Sequence, residues 1–136
     1  MPQPEFRLRV TVEASLALSE DPSKVRAAAL NVLGECRYNI NEDSRRIVMT
    51  SDDSASVTKL HDQLRDRHVR TAARRLLITR REGNRVTMMF NRQAAHAGVL
   101  ALCGSEAESP LGPIYFSIES EKLDEVIEWL TAYESG

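Results

Sequence analysis

Three stretches of this chain alternate apolar and polar residues with a period of two, and this alternation constrains the fold more than any other feature. Phe6, Leu8, Val10 and Val12 alternate with Arg7, Arg9, Thr11 and Glu13. Val86, Met88 and Phe90 alternate with Thr87, Met89 and Asn91, and Ile114, Phe116 and Ile118 repeat the spacing. Successive side chains of an extended strand point to opposite faces, so each stretch reads as a strand with one buried face. Tyr38 with Ile40, and Ile47 to Thr50, read as two more strands. The turn-rich Asn41-Glu42-Asp43-Ser44 between them makes a hairpin. Val99 to Cys103 reads as a short strand.

Elsewhere the spacing is helical. Asp21-Pro22 supplies an N-cap and a proline at the first helical position, Val25, Ala28, Ala29 and Val32 follow, and Gly34 is a stop. Ser51-Asp52-Asp53-Ser54 caps a helix that carries Val57, Leu60 and Leu64 on one face. A second stripe, Ala72, Ala73, Leu76 and Leu77, lies roughly 130° round from the first at helical pitch. A straight helix could not turn both stripes to one core, so a break is expected near Asp66–Val69. Asn91 to Ala97 is expected as a short helical turn. Leu123, Val126, Ile127 and Leu130 make a closing amphipathic helix, capped by Ser120.

The resulting order is β-α-β-β-α-α-β-β-β-α, without regular βαβ alternation and without an internal repeat. It predicts one α+β domain over residues 1–136, a mostly antiparallel sheet with helices packed on one face. Disorder is expected only in the first few residues and at Glu134 to Gly136. At 136 residues and 42% apolar content the chain can bury a core without metal or disulfide staples. Cys36 and Cys103 form no zinc-ligand spacing or CxxC pair, which fits free thiols in a reducing cytoplasm. The N-terminal residues mix acid and base unlike a signal peptide, and no apolar run approaches a membrane span.

The net charge is −2, but its distribution is uneven. Residues 65–85 hold eight arginines against Asp66 and Glu82, while residues 86–136 hold two basic and eight acidic side chains. One short segment therefore carries a positive field that the whole-chain charge hides. Arg70, Arg74 and Arg81 fall within about 60° on a helix of standard pitch. Arg75 lies further round, and Arg67 sits across the expected break. Such a face can set guanidinium forks along a phosphate backbone, giving affinity without sequence reading. The competing readings are a solvated face paired with the chain's own acidic termini, and a surface for an acidic protein or a second subunit.

Other polar groups are read in the same way. Asn91-Arg92-Gln93 is either a phosphate or base-edge contact, with Arg92 outlying from the main face, or a strand-to-helix cap in which Asn91 bonds backbone N–H groups. Ser109 to Pro113 reads as a rigid turn into the next strand. His61, His68 and Asp62 lack the further ligands that a metal site needs. His96 with Cys103 lacks a group to orient the base. The carboxylates Glu121, Asp124, Glu125 and Glu128 read as a solvated helix face. Phe90 and Phe116 share the apolar face, leaving Tyr115 and Tyr38 to the other, a poor platform for stacking bases. Recognition of phosphates and duplex shape is then expected over base reading.

The segments LHDQLRDRHVRTAARRLL (60–77), EGNRVTMMFNRQAAHAG (82–98) and ESPLGPIYFSIES (108–120) resemble an uncharacterised archaeal protein family of the UPF type. The likeness is strongest at Asn91 to Ala95 and at Ser109 to Ile114. It implies a predicted RNA-binding role and a fold similar to ribosomal large-subunit protein five, with no catalytic residues to carry over. The family usually has lysine where Arg92 stands and an apolar aromatic near His96. Arginines and resemblance together lead to the expectation of a non-catalytic RNA-binding protein without cofactor or metal. The alternative is a protein-interaction or homodimer module using the same arginine face.

Overall fold

The structure, a computed structural model, describes residues 7–66, 70–109 and 111–131. Five strands form a single sheet: β1 (Arg9–Ser15), β2 (Asn39–Glu42), β3 (Arg46–Ser51), β4 (Arg85–Phe90) and β5 (Ile114–Glu119). Their spatial order is β2-β3-β1-β5-β4, and each pairing is antiparallel. The helices are α1 (Pro22–Leu33), α2 (Thr58–Asp66), α3 (Arg70–Arg80), α4 (Arg92–His96) and α5 (Leu123–Thr131). Element types and order follow the alternation and helical spacing of the sequence, and the chain is an α+β protein with helices on one face of an antiparallel sheet.

Register explains the burial. Val10, Val12 and Ala14 of β1 lie opposite Ser51, Met49 and Ile47 on one side and Ile118, Phe116 and Ile114 on the other. All nine are buried and face the helices. Thr11, Thr50, Thr87 and Ser117 occupy the alternate positions, on the opposite face. Val25, Ala28, Ala29 and Val32 of α1, Leu60 and Leu64 of α2, and Leu123, Val126, Ile127 and Leu130 of α5 close the core. Burying each large aliphatic side chain stabilises the fold by about 1.5–3 kcal/mol.

Local chemistry sets the boundaries. Asp21 Oδ1 accepts the Ser23 N–H at 3.0 Å, capping α1. Gly34 ends that helix with φ 77°, and a β-carbon there would meet the Lys59 Cβ at 3.2 Å. Asp53 caps the 3-10 turn that leads into α2. The Ser120 Oγ accepts the Lys122 N–H at 3.1 Å just ahead of α5. The expected break between the apolar stripes falls on residues 67–69, outside the described residues, as do the chain ends where disorder is expected; α2 ends at Asp66 and α3 begins at Arg70.

Two local features differ from expectation. Val99 to Cys103 pairs with β4 through a single bridge, Phe90 to Leu102, flanked by Asn91 N donating to Ala101 O and Cys103 N donating to Met89 O, both 2.8 Å. Gly98 and the α4 turn just before it leave too little straight chain for a longer ladder. Tyr38 lies on the helix side, where it lines a cleft with Leu30, Gly34 and Lys59, and not on the opposite face. It precedes β2 by one residue and shares its side with Ile40, whose partner Met49 is a core residue.

Candidate nucleic-acid interface

Helix α3 packs through Ala73 and Leu77, both buried, against the sheet and α5. That anchoring turns Arg74 and Arg75 to the surface. Only half of the expected apolar stripe is used, since Ala72 is exposed and Leu76 half-buried. Arg74 Nη1 donates to Glu128 Oε2 at 2.6 Å. Arg81, just beyond the helix, pairs with Asp124 through Nη1 and donates from Nε to Gly83 O at 2.8 Å. Asp124 and Glu128 are one turn apart on α5, so the two helices present matched charges side by side. Arg80 Nη2 donates to Gly104 O at 2.6 Å. Arg75 stands exposed without an ion pair among the described residues. Arg70 is half-buried, and Arg67 lies outside the described residues.

The fold therefore lines Arg74 and Arg81 along α5 and matches both to carboxylates of the same chain, with Arg75 exposed on the helix that carries Arg74. These two pairs match the reading in which the arginine face meets the chain's own acidic termini. Exposed pairs of this kind contribute about 0–1 kcal/mol each, so a stronger anion can exchange with the carboxylate at little cost.

Arg92 requires a correction. Read from the sequence as an outlying phosphate contact, it is 2% exposed. Its Nη1 donates to both carboxylate oxygens of Glu20 at 2.8 Å and to Ser15 O at 2.8 Å, and its Nη2 reaches Ser15 Oγ at 3.2 Å. Glu20 is itself 9% exposed at the side chain. The guanidinium is thus committed to an internal ion pair that ties the β1–α1 loop to the start of α4, and no phosphate can reach it. Asn91 behaves as the capping alternative describes, its Oδ1 accepting the Ala94 N–H at 2.9 Å. The Ser109 Oγ joins the same knot by accepting the Arg92 N–H and donating to Gly112 O, each at 3.0 Å. Leu111 (φ 66°) and Gly112 (φ 90°) complete a left-handed turn into β5, as the rigid-turn reading requires. The two sequence motifs of the family resemblance meet at this one place.

The remaining candidates separate. His61 is buried and stacks on Trp129 with ring centroids 4.3 Å apart, its Nδ1 3.2 Å from Asp62 Oδ1. His68 lies outside the described residues, and among those described no three His, Cys, Asp or Glu side chains cluster as metal ligands. His96 is exposed while Cys103 is buried. Burial, reinforced by Glu108, pushes the Cys103 thiol above its ordinary range, which opposes the thiolate that nucleophilic chemistry needs. Both cysteines are free thiols. Phe90 and Phe116 meet edge to face inside the core, 5.9 Å apart. Tyr115, on the opposite face, donates its hydroxyl to Glu106 Oε1 at 2.7 Å. No described helix is long and apolar enough to cross a membrane.

Fold and surface define a class: an α+β domain whose helical layer carries an arginine-bearing helix beside an acidic one. No family model matches the sequence. A UPF0201 protein from Metallosphaera sedula is 37% identical over 123 residues, covering 90% of this chain and 86% of that protein. One from Sulfolobus acidocaldarius is 37% identical over 125 residues with the same coverage. The chain belongs to the UPF0201 family. Among solved structures, the UPF0201 protein of Methanococcus jannaschii superposes with a TM-score of 0.76 at 21% identity, over 94% of this chain and 96% of that one. A DUF54 protein from Methanothermobacter thermautotrophicus gives 0.64 at 16% identity, over 93% and 99%. These two likenesses concern the fold.

Proposed function

We propose that this protein is a non-catalytic RNA-binding domain of the archaeal cytoplasm that contacts phosphates through Arg74, Arg75 and Arg81, with Arg70 and, on sequence grounds, Arg67 as further contacts. The observation that carries the reading is the exposure of Arg74 and Arg75 side by side on a helix anchored from its other face. Their exposed guanidinium groups can each present a fork of donors to phosphate oxygens. Resemblance to ribosomal large-subunit protein five, implied by the sequence motifs, points the same way. With few aromatics outside the core among the described residues, duplex shape and phosphate spacing are the features recognised.

The test is binding of structured RNA across a salt series. The wild type should bind with a steep loss of affinity as salt rises. In the triple variant Arg74→Glu, Arg75→Glu, Arg81→Glu the binding should vanish or its salt slope should flatten, by about 0.9 for each duplex phosphate no longer neutralised. A wild type without salt-sensitive binding overturns the reading. The ion pairs with α5 favour one competing partner, an acidic protein surface. If the arginines capture an acidic polypeptide in place of RNA, that second reading takes over.

A further inference from the structure

The two edges of the sheet are unequal. Outside β4 the chain returns as residues 101–103 and bonds to it. At the other edge β2 pairs with β3 alone among the described residues, and all four of its residues are exposed. An open edge is a template for another strand, which proteins usually blunt with lysine, proline or a bulge. The sequence Asn39-Ile40-Asn41-Glu42 contains no lysine or proline, and it holds an isoleucine 44% exposed beside Tyr38, 40% exposed.

Which backbone groups are free follows from the hairpin. Asp43 N donates to Arg46 O at 3.1 Å, so Asp43, Asn41 and Asn39 turn their backbone groups toward β3. Ile40 and Glu42, and Tyr38 by continuation, turn theirs outward.

We propose that this edge joins a second copy of the chain in an antiparallel, two-fold pair centred on Ile40. In that register Ile40 faces the partner's Ile40, Tyr38 faces the partner's Glu42, and Asn39 faces the partner's Asn41. Every outward N–H and C=O from Tyr38 to Glu42 then finds its complement, about six hydrogen bonds in all by antiparallel geometry. The side chains match as well. Isoleucine covers isoleucine on the helix side, the tyrosine hydroxyl can donate to a carboxylate, and amide meets amide on the open side. One step further out, exposed Arg37 comes opposite the partner's Asp43, a pairing of opposite charge made twice by the symmetry. A shift of one residue in either direction would set Ile40 against an asparagine whose backbone groups are already turned to β3, so the pattern selects this register. An isologous contact of this kind closes after two copies and does not propagate.

The experiment is sedimentation of the full chain over a wide concentration range, with cross-linking to read the register. The wild type should sediment as a concentration-dependent dimer. Ile40→Pro removes the central outward N–H, which bonds nothing among the described residues, and should yield a monomer with an unchanged circular dichroism spectrum. In a chain lacking Cys36 and Cys103 (both changed to Ser), Ile40→Cys should oxidise rapidly to a disulfide-linked dimer. The Cα atoms of a hydrogen-bonded antiparallel pair lie about 5.5 Å apart, within disulfide reach. Leu18→Cys in the same background, fully exposed on the loop between β1 and α1, is the control for random collision. A wild type that stays monomeric at every concentration overturns the proposal, and so does an Ile40→Cys chain that cross-links no faster than Leu18→Cys.

Discussion

Arg92 is where charge and burial meet most sharply. A buried guanidinium survives only with a carboxylate and further acceptors around it, and Glu20 with Ser15 provides them. Arg92→Met should therefore cost about 3–5 kcal/mol in denaturant titrations by leaving Glu20 buried and unpaired, and Glu20→Leu should cost a similar amount. Replacing both with apolar residues should recover most of the loss, and additive losses would show that the pair is not coupled. The sequence could not place Arg92, because Glu20 lies 72 residues away and a strand-end Asn-Arg-Gln reads equally as a surface contact. Asn91 was legible for the opposite reason: a cap bonds a backbone three residues on, and that chemistry is local.

At the scale of elements, local rules carried furthest. Alternation located the core face of β1, β4 and β5, and cap chemistry located the starts of α1 and α5. Where a residue's setting depends on distant chain, the reading was weaker. Tyr38 stands just ahead of a strand whose side is set by Met49 of β3, and residues 99–103 pair only as far as α4 permits. Asp21, Asp43 and Asp53 show what the turns contribute. Backbone and side-chain hydrogen bonds from Ser23, from Arg45 and Arg46, and from Ala55 and Arg37 respectively hold these carboxyls below the ordinary value of 3.8. A carboxyl with a depressed folded pKa stabilises the fold above its unfolded value and loses that contribution as pH falls through the folded one. Stability should accordingly begin to decline as pH drops through 3.8 and continue to fall below it. The triple change to Asn should flatten that acid limb in pH-dependent melts, while an unaltered limb would place its origin elsewhere.

Across the whole molecule, the groups that hold the fold and the arginines proposed to meet a partner are separate. Leu77 is buried under α3, and Leu77→Ala should cost about 2–5 kcal/mol. Arg74→Ala and Arg81→Ala should each change stability by no more than about 1 kcal/mol, because their pairs with Glu128 and Asp124 lie at the surface. Equilibrium unfolding measures both, and a large loss at either arginine would make α3–α5 charge pairing part of the scaffold. Charge periodicity pointed to the arginine helix, whereas its match to α5 needed the tertiary arrangement of the two helices. The placement of β1 bears on how the molecule is made. It lies between β3 and β5 and pairs Arg9 with Glu119, so the centre of the sheet is closed by segments translated far apart in time. On the ribosome, the hairpin β2–β3 can take up one side of β1 early, while the other side waits, unpaired, for β5 to leave the exit tunnel. Folding dominated by such distant pairing is slow, and the interval before closure is when a nascent chain of this protein most needs shielding from its neighbours.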